Sequence, residues 1–318
     1  MRNLFLFVLM ITCFHFTATA QQLSYPGVQK PADKPALFAE GLVSDGMNNR
    51  DFTMSPDGQE TFYTIQQKDF MISTIVRMYK KNGRWSAPEV ASFSGRYNDL
   101  EASFSPDGQR IWFSSNRPAG ANDTIVDFDI WYVNKTSTGW GEPVHAGFEV
   151  NSNANEFYPS VARNGNLYFT TEFKAGKGKE DIVMCAWQDG KFAAPVSLPE
   201  AINSKGFEFN AFVDPDEQFI VFTAYARPDD MGRGDLYISK KDAAGNWMPA
   251  KNMGPGINSK HLDYCPYISP DKKIFFFSTN RPVNKTPFDQ NKNYHAISTM
   301  LKGAGNGNDD IYWMNWSY

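Results

Sequence analysis

One short pattern recurs five times along the 318 residues: an alternating strand, a tight Ser-Pro-Asp-Gly type of turn, and a second strand. Its clearest copy runs Asp99-Leu100-Glu101-Ala102-Ser103-Phe104, then Ser105-Pro106-Asp107-Gly108, then Ile111-Trp112-Phe113-Ser114. A loop beginning Asn116-Arg117-Pro118 leads to a third strand, Asp129-Ile130-Trp131-Tyr132-Val133, and Trp140-Gly141-Glu142-Pro143 leads into a fourth. Proline presets the first corner of such a turn, aspartate favours the second, and glycine supplies the left-handed closing residue. The second turn positions are 56, 106, 163, 215 and 270, giving spacings of 50, 57, 52 and 55. Four strands at a period in the fifties make a propeller blade and exclude a helical solenoid.

The fifth copy ends at its third strand, Asp310-Ile311-Tyr312-Trp313, near the C-terminus. Its missing fourth strand lies at the other end, where Pro35 to Ser44 matches Pro143 to Ser152 in position and character. The expected fold is therefore all-β, a five-bladed β-propeller of four-stranded antiparallel blades, closed by an N-terminal strand that completes the last blade. Six blades are the alternative count. Residues 35–318 form the single propeller domain in this reading, and residues 21–34 a flexible lead. Copy one departs most, with Val76 where the other third strands open on aspartate and Gln66-Gln67 in place of Asn-Arg.

Met1 to Ala20 reads as a signal peptide: Arg2, an apolar run from Leu4 to Phe16, and Ala18-Thr19-Ala20 as the cleavage site. Cleavage after Ala20 implies export, to the periplasm or the cell surface, and no later stretch is long and apolar enough to span a membrane. Cys185 and Cys265 then remain, each within a strand-like run, and read as buried thiols rather than a bridge. A formal net charge of -4 gives no basic field for phosphates, so no nucleic-acid partner is expected. The aromatic share of 15% is high, and most of it falls on strands two and three of the repeat, where rings pack sheet on sheet.

The Ser-Pro-Asp-Gly turns followed by Asp-Ile-Tyr/Trp strands resemble the TolB-type, WD40-like propeller repeats. Asn-Ser with an acid before the first strand, Ser-Asn-Arg after the second and Trp-x-x-Pro before the fourth resemble exported proteins of Bacteroidetes-type bacteria. The likeness covers residues 35–318 and implies a periplasmic or surface propeller used for binding. The same fold also serves enzymes, so it does not settle function.

Loops between blades and loops between second and third strands share one face of a propeller, the face expected to meet a ligand. Asp99, Glu156, Glu208 and Asp263, with Asn49 in copy one, occupy one offset before the turn and should ring its mouth. They could hold a cation or sugar, or act as a glycosidase pair. Recurrence in most blades argues instead for a structural role, since catalysis needs its residue once. Positions that break the symmetry are better ligand candidates, Glu172 and Tyr225 at the ends of second strands, as is the longest insertion, Pro282 to Asn308, with Phe288, Tyr294 and His295; Arg227 is a further candidate on this face. The leading expectation is a non-catalytic monomer that binds an envelope protein or glycan through this face. The alternative is a carbohydrate-active propeller, lectin-like, glycosidase or polysaccharide lyase. No cofactor is expected, with a structural Ca²⁺ in the central channel as a third reading.

Overall fold

Three of the five turns, in blades one, two and five, are closed by a serine. Ser55 donates to Asp57 Oδ1 at 2.6 Å and accepts the Glu60 amide at 2.9 Å, and Ser105 and Ser269 contact Asp107 and Asp271 at the same 2.6 Å. The closing residue is left-handed, which glycine adopts freely: Gly58 has φ 65° and Gly108 φ 67°. Blades four and five place Glu217 and Lys272 there, both at φ 54°, and put the side chains to use. Glu217 accepts the Tyr168 hydroxyl at 2.6 Å, and Lys272 reaches the buried Asp214 at 2.5 Å.

The computed structural model describes residues 23–27, 29–67, 71–283 and 293–318. They form a five-bladed β-propeller of antiparallel sheets. From the axis outward, blade one is Asn48–Met54, Glu60–Gln66, Ser73–Lys81 and Glu89–Val90. Blade two is Asp99–Phe104, Arg110–Ser115, Asp129–Thr136 and Val144–His145; blade three is Glu156–Val161, Leu167–Thr171, Asp181–Cys185 and Val196–Ser197. Blade four is Phe207–Val213, Phe219–Tyr225, Asp235–Lys240 and Lys251–Asn252. Blade five is Asp263–Ile268, Ile274–Thr279 and Asp310–Asn315, and its outer strand is the N-terminal Ala36–Leu37, paired with Trp313 and Tyr312. Every inner strand packs against its two neighbours, so the ring is closed. The outer strands are two residues long, which leaves little free edge for another chain to pair with.

The inner strands share a feature with no sequence signature. Each slips register at one place, and the residue there is left-handed: Asp51 at φ 63°, Glu101 at 63°, Tyr158 at 55°, Asn210 at 49° and Cys265 at 51°. A bulge of this kind turns the strand and re-aims one side chain. Cys265 and Cys185 are both buried and unbridged. Register also corrects one assignment in blade one. Thr74, not Val76, stands opposite Ile65 where Asp129 stands opposite Ser115 in blade two.

Among the described residues of the lead, Leu23 and Tyr25 lie on the blade one and five core, and the Ala32 carbonyl accepts the Asn315 amide at 2.8 Å. The insertion after blade five's second strand contains a helix, Tyr294–Lys302, started by the Asn293 side chain accepting the Ala296 amide at 2.9 Å. Its end abuts Gly46, where a Cβ would lie 2.0 Å from the Lys302 carbonyl oxygen. No helix among the described residues is long and apolar enough to cross a membrane.

Candidate functional site

The bulges surround Arg50, and three of their side chains, those of Asp51, Glu101 and Cys265, meet it directly. Its guanidinium donates to Asp51 at 2.7 Å and to Glu101 at 2.5 Å, lies 3.4 Å from the Cys265 sulfur and sits 4.9 Å from the centre of the Tyr264 ring. Glu101 also accepts the Tyr158 amide at 2.7 Å and the Asn210 side chain at 3.1 Å. All five blades therefore meet in one buried network, and the axis carries its own cation. Burial works against the charge on Arg50, but its neighbours, Asp51 foremost, together outweigh burial and hold the guanidinium protonated.

Above this plug, on the loop-bearing face, lie the four mouth acids, each no more than 1% exposed. Three of them are neutralised by an arginine from the loop after the second strand. Arg117 reaches Asp99 at 2.5 Å, Arg281 reaches Asp263 at 2.5 Å and Arg227 reaches Glu208 at 2.9 Å. The three guanidinium groups are held alike. Each also donates to a backbone carbonyl of the preceding loop, that of Phe93, Ile257 or Ile202. Each lies over a second-strand ring, Phe113 at 5.0 Å, Phe277 at 5.2 Å or Phe222 at 5.3 Å. Arg227 is thus the blade-four copy of the repeated arginine, displaced by one residue through Ala226 at φ 68°. Blade one has neutral Asn49 and Gln67 in the two positions.

Blade three alone keeps the acid without the base. Glu156 accepts the Ser152 hydroxyl at 2.7 Å and the Thr171 hydroxyl at 3.2 Å, but Phe173 stands where blade two has Arg117. Burial, with a smaller push from Asp129, lifts the Glu156 carboxyl to about 7. Beside it opens a cavity of about 750 Å³, lined by Val150, Phe169, Phe173 and Pro195 with Glu172 and Lys174.

A stability consequence follows from these carboxyls. Burial raises Glu156 from 4.5 to about 7 and Asp310 from 3.8 to about 6. A carboxyl raised in the folded state favours folding while neutral, fully below its unfolded pKa, and that contribution is lost as pH climbs through the folded value. The protein should therefore melt at a higher temperature at pH 5 than at pH 8, and Glu156→Gln should narrow the difference. Equal melting temperatures at the two values would refute this.

Of the other sequence candidates, Glu172 is exposed at the rim of that cavity. Tyr225, on blade four of the same face, is 44% exposed, with its ring 6.0 Å from Phe207. Tyr294 and His295 lie exposed in the first turn of the helix. Phe288 falls outside the described residues. On the opposite face Pro56, Pro106, Pro215 and Pro270 surround a cavity of about 270 Å³ that also meets Tyr267 and Arg163. Among the described residues no three histidine, cysteine or acidic side chains are grouped to hold a metal ion. The sequence reading missed the axial network. Its five bulge residues share an offset of five residues before the turn's second position but no chemistry.

No family model matches the chain, and no curated protein matches it by sequence. Among solved structures it is similar to TolB from Acinetobacter baumannii, at 15% identity and TM-score 0.48, over 84% of this chain and 54% of that one. It is similar to BT0996 in an RGII complex, at 9% identity and TM-score 0.53, over 90% of this protein and 92% of that one. A third likeness is to the arabinanase Arb43A of Bacillus subtilis, at 12% identity and TM-score 0.49, over 85% and 97%. The chain spans about half the length of the TolB chain. At these identities the likeness shows the propeller fold alone.

Proposed function

We propose that this is an exported, non-catalytic propeller that binds an envelope protein or glycan through its loop-bearing face. The observation that carries the reading is the state of the mouth acids: all four are buried, and three are closed by internal arginine pairs. Glycoside hydrolysis needs two carboxyls flanking the scissile bond. Acids held this way serve the connections between blades, and the solvent side of the face is left to Glu172, Tyr225 and the apolar cavity of blade three.

Export rests on the signal-like residues 1–20, and the mature protein is expected to begin at Gln21. N-terminal sequencing of protein recovered from the periplasm or medium tests this, and a chain still starting at Met1 in the cytoplasm would overturn it. For the face itself, Glu172→Ala combined with Tyr225→Ala should abolish capture of the partner from envelope extract at an unchanged melting temperature. Undiminished capture would remove these residues from the site. Turnover of an oligosaccharide by the purified protein would replace the binding reading with a catalytic one.

A further inference from the structure

The blade-three cavity has the outline of a site that three other blades fill for themselves. In blade two the Arg117 guanidinium is held by Asp99, by the Ser115 hydroxyl at 2.8 Å, by the Phe93 carbonyl at 3.0 Å and by the face of Phe113. In blade five the same four partners of Arg281 are Asp263, Thr279, Ile257 and Phe277. Strand register places Glu156, Thr171 and Phe169 of blade three at the matching positions, and Val150 stands six residues before Glu156 as Phe93 does before Asp99. All four residues line the cavity. The acid, the hydroxyl and the ring have been kept, and only the arginine is gone.

Loss of the arginine alone would select against a buried carboxylate, since an unpaired buried charge is costly. Blade one shows the expected accommodation, because there both partners are neutral, as Asn49 and Gln67. Blade three retains the acid beside an open cavity instead. We propose that this cavity binds a guanidinium group from outside the chain, an arginine side chain of a partner polypeptide, which occupies the place taken by Arg117, Arg227 and Arg281 in the other blades. This rests on reading the loop-bearing face as the binding face, and it selects a protein over a glycan as the partner. A guanidinium suits the site better than an ammonium, because its planar fork can bond a carboxylate and a carbonyl together while stacking on a ring.

Around Glu156 the titratable and charged groups are Asp129 with its partner His145 from blade two, Cys185 from the third strand, and Glu172 and Lys174 at the rim. The Glu156 carboxyl titrates near 7, so guanidinium binding should strengthen from pH 6 to pH 8 as it ionises.

The test is calorimetric titration of the whole protein at pH 8 with three capped tripeptides, Gly-Arg-Gly, Gly-citrulline-Gly and Gly-Lys-Gly. Saturable binding of the arginine peptide, at least tenfold tighter than the other two, is expected. Phe173→Arg should supply the missing group from within, raising the melting temperature and abolishing peptide binding. Glu156→Gln, which keeps size and shape, should abolish binding in a folded protein. Equal binding of the citrulline or lysine peptide, no binding of any, or binding that survives Phe173→Arg would overturn the inference. Should partner capture be lost in the Glu172/Tyr225 double variant while no peptide binds, the binding face stands and the guanidinium site falls. Peptide binding blocked by Phe173→Arg with partner capture untouched by either variant has the opposite meaning.

Discussion

Arg50→Ala should cost the protein about 3–5 kcal/mol, the usual penalty for removing one partner of a buried ion pair, or on the order of 10 °C in melting temperature for a domain of this size. The magnitude follows from what is left behind. Asp51 and Glu101 are 2% and 3% exposed, and both lose their guanidinium. Burial already pushes the Glu101 carboxyl up against the pull of Arg50, so the variant would protonate it rather than keep an unpaired charge. The damage should be cooperative, because Glu101 also holds the Tyr158 amide and the Asn210 side chain of the next two blades. Arg50→Met with Asp51→Asn and Glu101→Gln removes all three charges of the cluster, and that triple variant should recover a good part of the loss. Thermal and denaturant unfolding measure both. A loss below about 1 kcal/mol for Arg50→Ala, the range of an exposed pair, would show that the axial network does not tie the blades.

That network also marks where the sequence stops being legible. The hairpin turn announces itself because its geometry demands particular residues: Ser55, Ser105 and Ser269 each bond the aspartate two positions on. Blades could therefore be counted and the closing strand found. The inner-strand bulge makes no such demand. It needs a left-handed backbone held by neighbours on both sides, and Asp51, Glu101, Tyr158, Asn210 and Cys265 all comply. Nothing in five unlike residues signals a common position. The arginine ring was half legible. Arg117 and Arg281 fall in register after the second strand, but the extra residue at Ala226 moves Arg227 out of line with them. Phe173 takes its meaning only from strand pairing, which sets Thr171, two residues before it, against Glu156 and so shows an acid without its base. The helix Tyr294–Lys302 had its signals too, an asparagine before it and Gly303 after it. They sit in a segment where the repeat gives no frame.

Phe38→Ala is the second substitution with a large expected effect, because it strikes the closure of the ring. Phe38 is fully buried directly after the closing strand, its ring centre 5.0 Å from Phe52, 5.1 Å from Phe276 and 5.0 Å from Trp313. Its amide donates to the Ile311 carbonyl at 2.9 Å. Phenylalanine to alanine in a close-packed core costs about 3–5 kcal/mol, the transfer loss plus the cavity that remains. Here the loss falls on a strand of two residues, Ala36–Leu37, which makes few contacts of its own to keep it paired with Tyr312 and Trp313. Weakening it should first release the segment before residue 40, and only then unfold the blades. Limited proteolysis should therefore cut Phe38→Ala there under conditions that spare the native protein. The edge of Asp310–Asn315, once uncovered, offers unpaired backbone groups to a second chain, so the variant should also associate with itself as concentration rises. Isoleucine at position 38 fills more of the cavity than alanine and should show less of both effects. If Phe38→Ala melts within about 1 kcal/mol of the native protein, the low end of what core truncations cost, and resists cleavage before residue 40, the ring does not depend on this closure.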